Sequence, residues 1–192
     1  MPRRGLTRDQ VIDAATELVD TVAGQALTLA TLAERLGVRP PSLYHHVDGI
    51  EGLQRAVGLR GIDLLAAACG PAAMGRSGRE ALVAVAHAYL DVARRHPGAY
   101  RLAQVAHPDD AEWDVRSTAV LGPVLAVLAG YGYAGDGAVH AARALRSALH
   151  GFALLELEAG FGIDLSVDES FDFLLDVLDR GLSGGALDAP EL

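Results

Sequence analysis

The chain has 192 residues, 51% of them hydrophobic, so it can bury a core without disulfide bonds. Its single cysteine, Cys69, excludes an intramolecular disulfide and favours a reducing, cytoplasmic location. Lysine is absent, which excludes phosphate-loop, Schiff-base and Ser-x-x-Lys chemistry that depends on a lysine.

The formal net charge of −9 belongs to one part of the chain. Residues 1–60 hold seven arginines and seven acidic residues and sum to zero, whereas residues 61–192 hold nine arginines and eighteen acidic residues. A neutral N-terminal segment with local arginines, followed by an acidic body, suits nucleic-acid binding at one end only.

The first two predicted helices are marked by their caps. The first begins at a capping box formed by Thr7 and Gln10. The second begins at Thr28, a favourable N-cap residue, and ends at Gly37. Its apolar residues follow the i, i+3, i+4, i+7 spacing of a short amphipathic helix. They are Leu29, Leu32, Ala33 and Leu36.

A third helix is predicted directly after this glycine. Pro40 and Pro41 can open it, because the first residues of a helix need no amide hydrogen. Leu43 and Val47 are then expected to be buried. The residues expected to point outward are Ser42, Tyr44, His45 and His46. Two short helices joined by a glycine turn, the second exposed and polar, are typical of a DNA-reading helix-turn-helix.

Six further helices are predicted from caps, prolines and glycines. Their expected starts are Asp48, Ser77, Pro97, Asp109, Asp136 and Ser166. The sixth is expected to run to about His107 and the eighth to Gly160, and the seventh to be kinked or split at Pro123. No segment shows sustained strand alternation, so we predict an all-α fold of about nine helices. Residues 117–135 are uncharged but interrupted by glycines, which favours a buried helix over a membrane span.

The segment from Leu32 to Val47 resembles the TetR family of bacterial repressors. It reads Leu-Ala-x-x-Leu-Gly-Val followed by Pro-Ser-Leu-Tyr-x-His-Val, an order characteristic of that family. The resemblance implies a helix-turn-helix DNA-binding domain at residues 1–62, joined through a fourth helix to a ligand-binding and dimerisation domain at residues 63–192. It further implies a repressor that binds a palindromic double-stranded operator as a homodimer and responds to a small-molecule effector.

Nine residues are candidates for contacting DNA. Ser42, Tyr44 and His45 are expected to face the groove, and Arg39 is placed to reach a guanine edge or a phosphate. The resemblance implies that Tyr44 and His46 hold the backbone. Thr28 offers a hydroxyl and free amides to a phosphate, and the N-terminal arginines add non-specific attraction. The full set is Arg3, Arg4, Thr28, Arg39, Pro41, Ser42, Tyr44, His45 and His46.

The chain departs from the family where the fourth helix begins. TetR-type proteins usually carry an Asn-Lys pair there, whose lysine grips a phosphate, and this chain has Gly49 and Ile50. The loss of a charge-assisted contact leaves two readings open: a specific operator-binding regulator, or a ligand-binding dimer of the same family with weak or lost specific DNA binding.

The C-terminal segments supply candidates for an effector pocket and a dimer surface. Apolar sites with few polar groups are typical of small-molecule pockets, and paired helices with small or apolar faces are typical of dimer bundles. The expected ligand-binding residues are Tyr89, Tyr100, Trp113, His140, Arg143 and Phe152. The expected interface residues are Ala141, Ala148, Phe171, Leu174, Leu175 and Leu178.

An enzymatic function is not predicted, and neither a metal nor a cofactor is expected. Residues 130–135 match the Gly-x-Gly-x-x-Gly spacing, but they join two predicted helices and follow no strand. Ser147 and His150 lie close on one helix without a third partner or a nucleophile turn. The histidines lack metal-ligand spacing. An all-helical enzyme is a remote alternative.

Overall fold

The computed structural model describes residues 6–21, 27–105 and 107–184. Within these ranges every regular element is helical, and eight α-helices and one 3₁₀ helix follow one another along the chain. They are α1 (Arg8–Thr21), α2 (Leu29–Leu36), the 3₁₀ helix (Pro40–His45), α3 (Gly49–Ala73), α4 (Gly78–Arg95), α5 (Pro97–Ala103), α6 (Ala111–Ala129), α7 (Gly135–Leu157) and α8 (Val167–Ser183). The predicted all-α fold is confirmed.

The caps account for several of these boundaries. The amide of Gln10 donates to Thr7 Oγ1 and the amide of Thr7 to Gln10 Oε1, as a capping box requires. Ser166 accepts from the amide of Glu169 at the start of α8. Asp136 is not a cap, because α7 begins after Ala134 without a side-chain bond and Asp136 lies in its first turn.

One predicted helix end differs from the structure, and one predicted helix is not split. The α5 helix ends at Ala103 instead of continuing to His107, and the amide of its C-cap residue Gln104 bonds back to Arg101 and Leu102. The α6 helix runs through Pro123 as one element. A proline inside a helix removes one amide donor, and here that loss does not divide the helix.

The chain divides into two compact units. The N-terminal unit comprises Met1–Asp63 and Arg95–Trp113, and the C-terminal unit comprises Leu64–Arg94 and Asp114–Leu192. Residues 95–113 therefore pack with the N-terminal unit, although the sequence assigned them to the C-terminal domain. The periodicity of a helix shows which residues are buried, but not which neighbouring helices bury them.

The N-terminal unit holds α5 against α1 through the carboxylate of Asp20. The amides of Gly98 and Ala99 both donate to Asp20 Oδ1 at 3.0 Å, and His96 Nδ1 lies 2.8 Å from Asp20 Oδ2. The Asp20 side chain is only 9% exposed. One buried carboxylate thus satisfies the first amides of α5, which have no partner inside that helix.

Glycines bring the same segment close to α1 and α3. A methyl group on Gly98 would overlap the carbonyl of Val19, and one on Gly61 would overlap the carbonyl of Ala99. A methyl group on Gly58 would lie 2.6 Å from the Trp113 ring. These contacts leave no room for a side chain, so glycine is required by packing at all three positions.

The α3 helix is a core helix of the folded chain. Among the described helices it alone is long and apolar enough to cross a membrane by length and composition. Leu53 and Val57 on it are fully buried, and Arg55 and Arg60 are ion-paired with acidic residues of the N-terminal unit. An interior role within the protein accounts for its composition.

In the C-terminal unit, α4 and α8 are joined by a ladder of charged pairs. Arg79 bonds to Asp176 at 2.6 Å, His87 lies 3.1 Å from Asp172, and Arg94 bonds to Asp168 at 2.5 Å. Arg94 also bonds to Glu156 on α7. The residue numbers rise on α4 as they fall on α8, so the two helices are antiparallel.

Aromatic residues fill the space beside this ladder. Phe152 on α7 packs against Phe171 at 4.8 Å between ring centroids and against Phe161 at 4.9 Å. The His87 and Phe171 rings meet edge to face, with their centroids 5.3 Å apart. Phe171 is 1% exposed and Leu175 1% exposed, so this face of α8 belongs to the core of the chain.

Candidate nucleic-acid interface

The α2 helix is fixed at both ends by local hydrogen bonds. The amide of Thr31 donates to Thr28 Oγ1 at 3.1 Å, and the amide of Thr28 donates to Thr31 Oγ1 at 3.2 Å. At the other end Gly37 has φ 64°, and the amides of Gly37 and Val38 donate to the carbonyls of Glu34 and Ala33. These are the bonds of a Schellman cap, which needs a left-handed residue.

The element after the turn is a 3₁₀ helix, not the predicted α-helix. The amide of Ser42 bonds to the Arg39 carbonyl at 2.9 Å, and that of His46 bonds to the Leu43 carbonyl at 2.9 Å. Two leading prolines supply no amide donor, and the chain turns again at Gly49, which has φ 68°. The segment is too short between these limits for a longer helix.

Two apolar side chains anchor this element, as the sequence predicted. Leu43 is fully buried and Val47 is 6% exposed. Tyr44 is 60% exposed, and Pro41, Ser42 and His45 are exposed beside it. His46 is partly buried. Thr28 and Arg39 are also exposed, while Arg3 and Arg4 lie outside the described residues.

The side chain of Arg39 is free of intramolecular bonds. Within residues 6–21, 27–105 and 107–184 it has neither a hydrogen bond nor an ion pair. By contrast, Arg35 pairs with Glu17 at 2.8 Å, Arg55 with Asp110 at 2.5 Å, and Arg60 with Asp13. Arg39 can therefore bind an external acceptor without first breaking an internal bond.

The departure at residues 49 and 50 has two different consequences. The left-handed backbone at Gly49 suits glycine or asparagine, so the turn itself is preserved. Ile50 is an apolar, partly buried residue at the start of α3 and cannot supply the positive charge that a lysine would. The turn at residue 49 is therefore compatible with the family pattern, but position 50 does not supply a permanent positive charge.

The predicted ligand-binding residues belong to both units. Tyr100 and Trp113 are buried in the N-terminal unit, where the Trp113 ring packs 4.2 Å from His107. Tyr89 and Phe152 are buried in the C-terminal unit. His140 and Arg143 lie on the exposed side of α7, since the buried side of that helix carries alanines, leucines and Phe152. Their part in ligand binding stays a prediction.

Half of the predicted interface residues are buried inside the single chain. Ala141 is 7% exposed, and Phe171 and Leu175 are both 1% exposed, so these three cannot offer a surface to a second copy. Ala148, Leu174 and Leu178 are partly buried. The large apolar residues exposed on α7 and α8 are instead Val139, Leu155, Phe173 and Val177, at 42%, 50%, 70% and 48%.

The sequence did not identify Asp20 or the ladder between α4 and α8. The pair Gly58 and Gly61 inside a helix was an available indication of close packing, because glycine weakens a helix interior unless a neighbour requires it. Nothing local distinguishes Asp20 from the other acidic residues of α1.

The capped α2 helix, its left-handed glycine turn and the exposed 3₁₀ element together define a helix-turn-helix DNA-binding protein. A family model for the tetracycline-repressor-like C-terminal domain matches residues 82–178. The uncharacterised HTH-type transcriptional regulator YobS of Bacillus subtilis is 35% identical over 182 residues, covering 94% of this chain and 95% of YobS. The chain therefore belongs to the TetR family of HTH-type transcriptional regulators.

Solved structures share this fold at low sequence identity. The TetR family protein ActR of Streptomyces coelicolor, in complex with actinorhodin, superposes with a TM-score of 0.72 at 18% identity, covering 98% of this chain and 99% of ActR. A TetR variant of Acinetobacter baumannii AYE in complex with minocycline gives 0.70 at 24% identity, covering 93% and 97%.

Proposed function

We propose that this regulator is a ligand-responsive, cytoplasmic repressor that binds a palindromic operator as a homodimer. The observation that carries the proposal is the exposed set Arg39, Tyr44 and His45 on a hairpin fixed by caps and by buried Leu43. A rigid support with unengaged polar side chains is what readout of base edges and phosphates requires. One such hairpin covers a half-site, and a dimer places two about 34 Å apart.

The second copy is proposed to dock on the apolar residues exposed by α7 and α8. Leu155, Phe173 and Val177 are large side chains that the single chain leaves in water. Covering them removes apolar area from solvent, which favours association. We expect a dimer by light scattering at micromolar concentration and a monomer for Phe173→Glu combined with Val177→Glu. A wild-type monomer would contradict the dimer.

The effector is proposed to bind in the C-terminal unit, near the buried aromatic residues Tyr89 and Phe152. The complexes of ActR with actinorhodin and of TetR with minocycline support this, because both hold a small molecule in a related fold. The effector must bind one of two protein shapes more tightly, since equal affinity for both would shift nothing. Mass spectrometry of natively purified protein tests whether a small molecule is retained.

Footprinting on the DNA upstream of the chain's own coding region tests operator binding. We expect protection of a palindrome by the wild type and loss of that protection when Tyr44→Ala and His45→Ala are combined. Met74→Ala is the matched control, because Met74 is 69% exposed in the C-terminal unit and should leave the footprint unchanged. Equal binding to a scrambled duplex would contradict a specific repressor.

A second function is supported by Ile50. If the missing cation weakens DNA binding below a useful level, the chain is a ligand-binding dimer of the family without a specific operator. Salt-sensitive binding with no sequence preference would then be observed in the same experiment.

A further inference from the structure

Among the residues that the structure describes, few permanent cations are available on the surface formed by α2, the 3₁₀ helix and the start of α3, which we call the reading surface. Lysine is absent from the chain, and the described arginines of the N-terminal unit are mostly engaged. Arg35, Arg55 and Arg60 are in ion pairs, and Arg95 and Arg101 also interact within the protein. The arginines of this unit without such a bond, within the described ranges, are Arg8 and Arg39.

The acidic groups around the surface oppose DNA. Glu34 on α2, which packs on the 3₁₀ helix, is exposed, and so are Asp48 and Glu51 where α3 begins. Within the described chain none of these three carboxylates has a side-chain partner, whereas the nearby Arg35 is committed to Glu17. If His45 and His46 are both neutral, the described part of this surface carries more unpaired carboxylates than unpaired arginines.

Within the described residues, His45 and His46 are a further source of positive charge beside Arg39. His45 is exposed, His46 is partly exposed, and neither imidazole is bonded within the described residues. His45 is the last residue of the 3₁₀ helix and His46 is its C-cap, so both lie at the same end of this element, next to the exposed Tyr44. Histidine changes its charge near neutral pH, and a neighbouring anion favours the charged form.

We propose that DNA binding by this chain is coupled to proton uptake by His45 and His46. In this mechanism the DNA phosphates near the two rings stabilise the imidazolium form. The protonated histidines then supply the positive charge that Ile50 does not provide. Acidification then strengthens DNA binding, and alkalinisation releases the protein without any effector. The inference rests on the proposed function, since it concerns the same surface.

The proposal predicts linked changes in pH dependence and salt dependence. Each histidine that pairs with a phosphate releases about 0.9 of a counterion, so the slope of log affinity against log salt should be steeper at pH 6 than at pH 8. Full uptake of one proton makes affinity fall about tenfold per pH unit above the titration of that site. A dimer, with two copies of each ring, should therefore bind at least tenfold more tightly at pH 6 than at pH 8.

The test uses the full chain and a 30-base-pair duplex of arbitrary sequence, together with the footprinted upstream fragment. Affinity is measured by fluorescence anisotropy from pH 6 to pH 8 at several salt concentrations, and protons taken up are counted by calorimetry in buffers of different ionisation enthalpy. The variant His45→Gln with His46→Gln keeps hydrogen bonding but does not titrate. His45→Gln alone is the second variant, because His45 is the more exposed of the two residues. His87→Gln is the control, because His87 is a half-exposed histidine of the C-terminal unit that pairs with Asp172 and belongs to neither predicted binding set.

We expect the pH 6 to pH 8 affinity ratio to fall below about twofold in the double variant and to stay unchanged in the control. An unchanged ratio in the double variant, no net proton uptake by the wild type, or equal salt slopes at the two pH values would each overturn the proposal. A sequence-specific footprint without pH dependence would leave the repressor function standing. Proton-linked binding to any duplex without a footprint would instead contradict the specific repressor.

Discussion

The two units hold their helices together in different ways. The N-terminal unit joins residues 95–113 to α1 and α3 by close backbone contact at glycines and by one buried carboxylate, Asp20. The C-terminal unit joins α8 to α4 by a row of charged side chains, several of them well exposed, such as Asp168 at 74%. Close contact of backbones tolerates little change, whereas exposed ion pairs contribute little individually.

This difference suits the surface that each unit carries. The 3₁₀ helix is anchored by the buried apolar side chains of Leu43 and Val47. Its orientation therefore depends on the rigidity of the helices around it. A support held by tight contacts keeps that geometry to within a fraction of an ångström, as a readout surface requires. Substitutions in the two units should therefore differ in their cost to stability.

The largest effect is expected from Gly61→Ala in α3. The added methyl group would overlap the carbonyl of Ala99 and lie 2.9 Å from the Ala103 side chain, so backbone must move. We expect the free energy of unfolding to fall by about 3 kcal/mol, measured by urea denaturation. Gly70→Ala on the same helix is the control, because nothing lies within 4 Å of the added group. It should be neutral or stabilising by about 0.5–1 kcal/mol, and equal effects at the two sites would refute the packing argument.

The next effect is expected from removal of the Asp20 carboxylate. Asp20→Ala leaves the buried amides of Gly98 and Ala99 without an acceptor and should cost about 2–3 kcal/mol of unfolding free energy. Asp20→Asn keeps one acceptor oxygen and should cost less. Glu17→Ala on the same helix removes only an exposed pair with Arg35 and should cost about 0.5 kcal/mol or less. If Glu17→Ala is as damaging as Asp20→Ala, the cap does not hold α5.

The sequence was sufficient to predict local features and insufficient for the packing partners. Thr28, Gly37, Leu43 and Val47 have the predicted positions, because caps, left-handed turns and apolar anchors depend on residues close in the chain. The sequence did not show that the element from Pro40 to His45 is a 3₁₀ helix. That outcome depends on the two prolines at its start and the turn at Gly49 after its end, which together keep the segment short.

The orientation of α7 and α8 could not be predicted in the same way. The apolar residues of α8 cover more than one face, and only contacts with distant helices decide that Phe171 is buried while Phe173 is exposed. Likewise, the sequence named Tyr100 as an expected pocket residue but could not show in which unit it is buried. Contacts between helices that are distant in the sequence determine these features, and the periodicity of a single helix does not predict such contacts.

A smaller effect is expected when the ladder of the C-terminal unit is shortened. Arg94→Met keeps most of the side-chain volume but removes the bonds to Glu156 and Asp168, and should lower the free energy of unfolding by about 1 kcal/mol. The Arg94 side chain is 33% exposed, so solvent screens much of the interaction. Arg79→Met, at the far end of the ladder, should have a still smaller effect. A loss as large as that of Gly61→Ala would show that the ladder, and not the core beneath it, fixes α8.

The smallest effect is expected from an ion pair of the N-terminal unit, and it appears only in acid. The hydrogen bonds from Arg55 lower the pKa of the Asp110 carboxyl from 3.8 to about 2. The unfolded chain therefore binds this proton first as the pH falls, so the stabilisation is complete above about pH 4 and is lost between pH 4 and pH 2. Asp110→Asn should flatten the dependence of unfolding free energy on pH in that window and leave it unchanged between pH 5 and pH 7. The neighbouring Asp109→Asn removes an exposed carboxylate that does not bond to Arg55, and should keep the wild-type slope. Because both substitutions remove one negative charge, a difference between their slopes measures the pair itself and not the net charge of the protein.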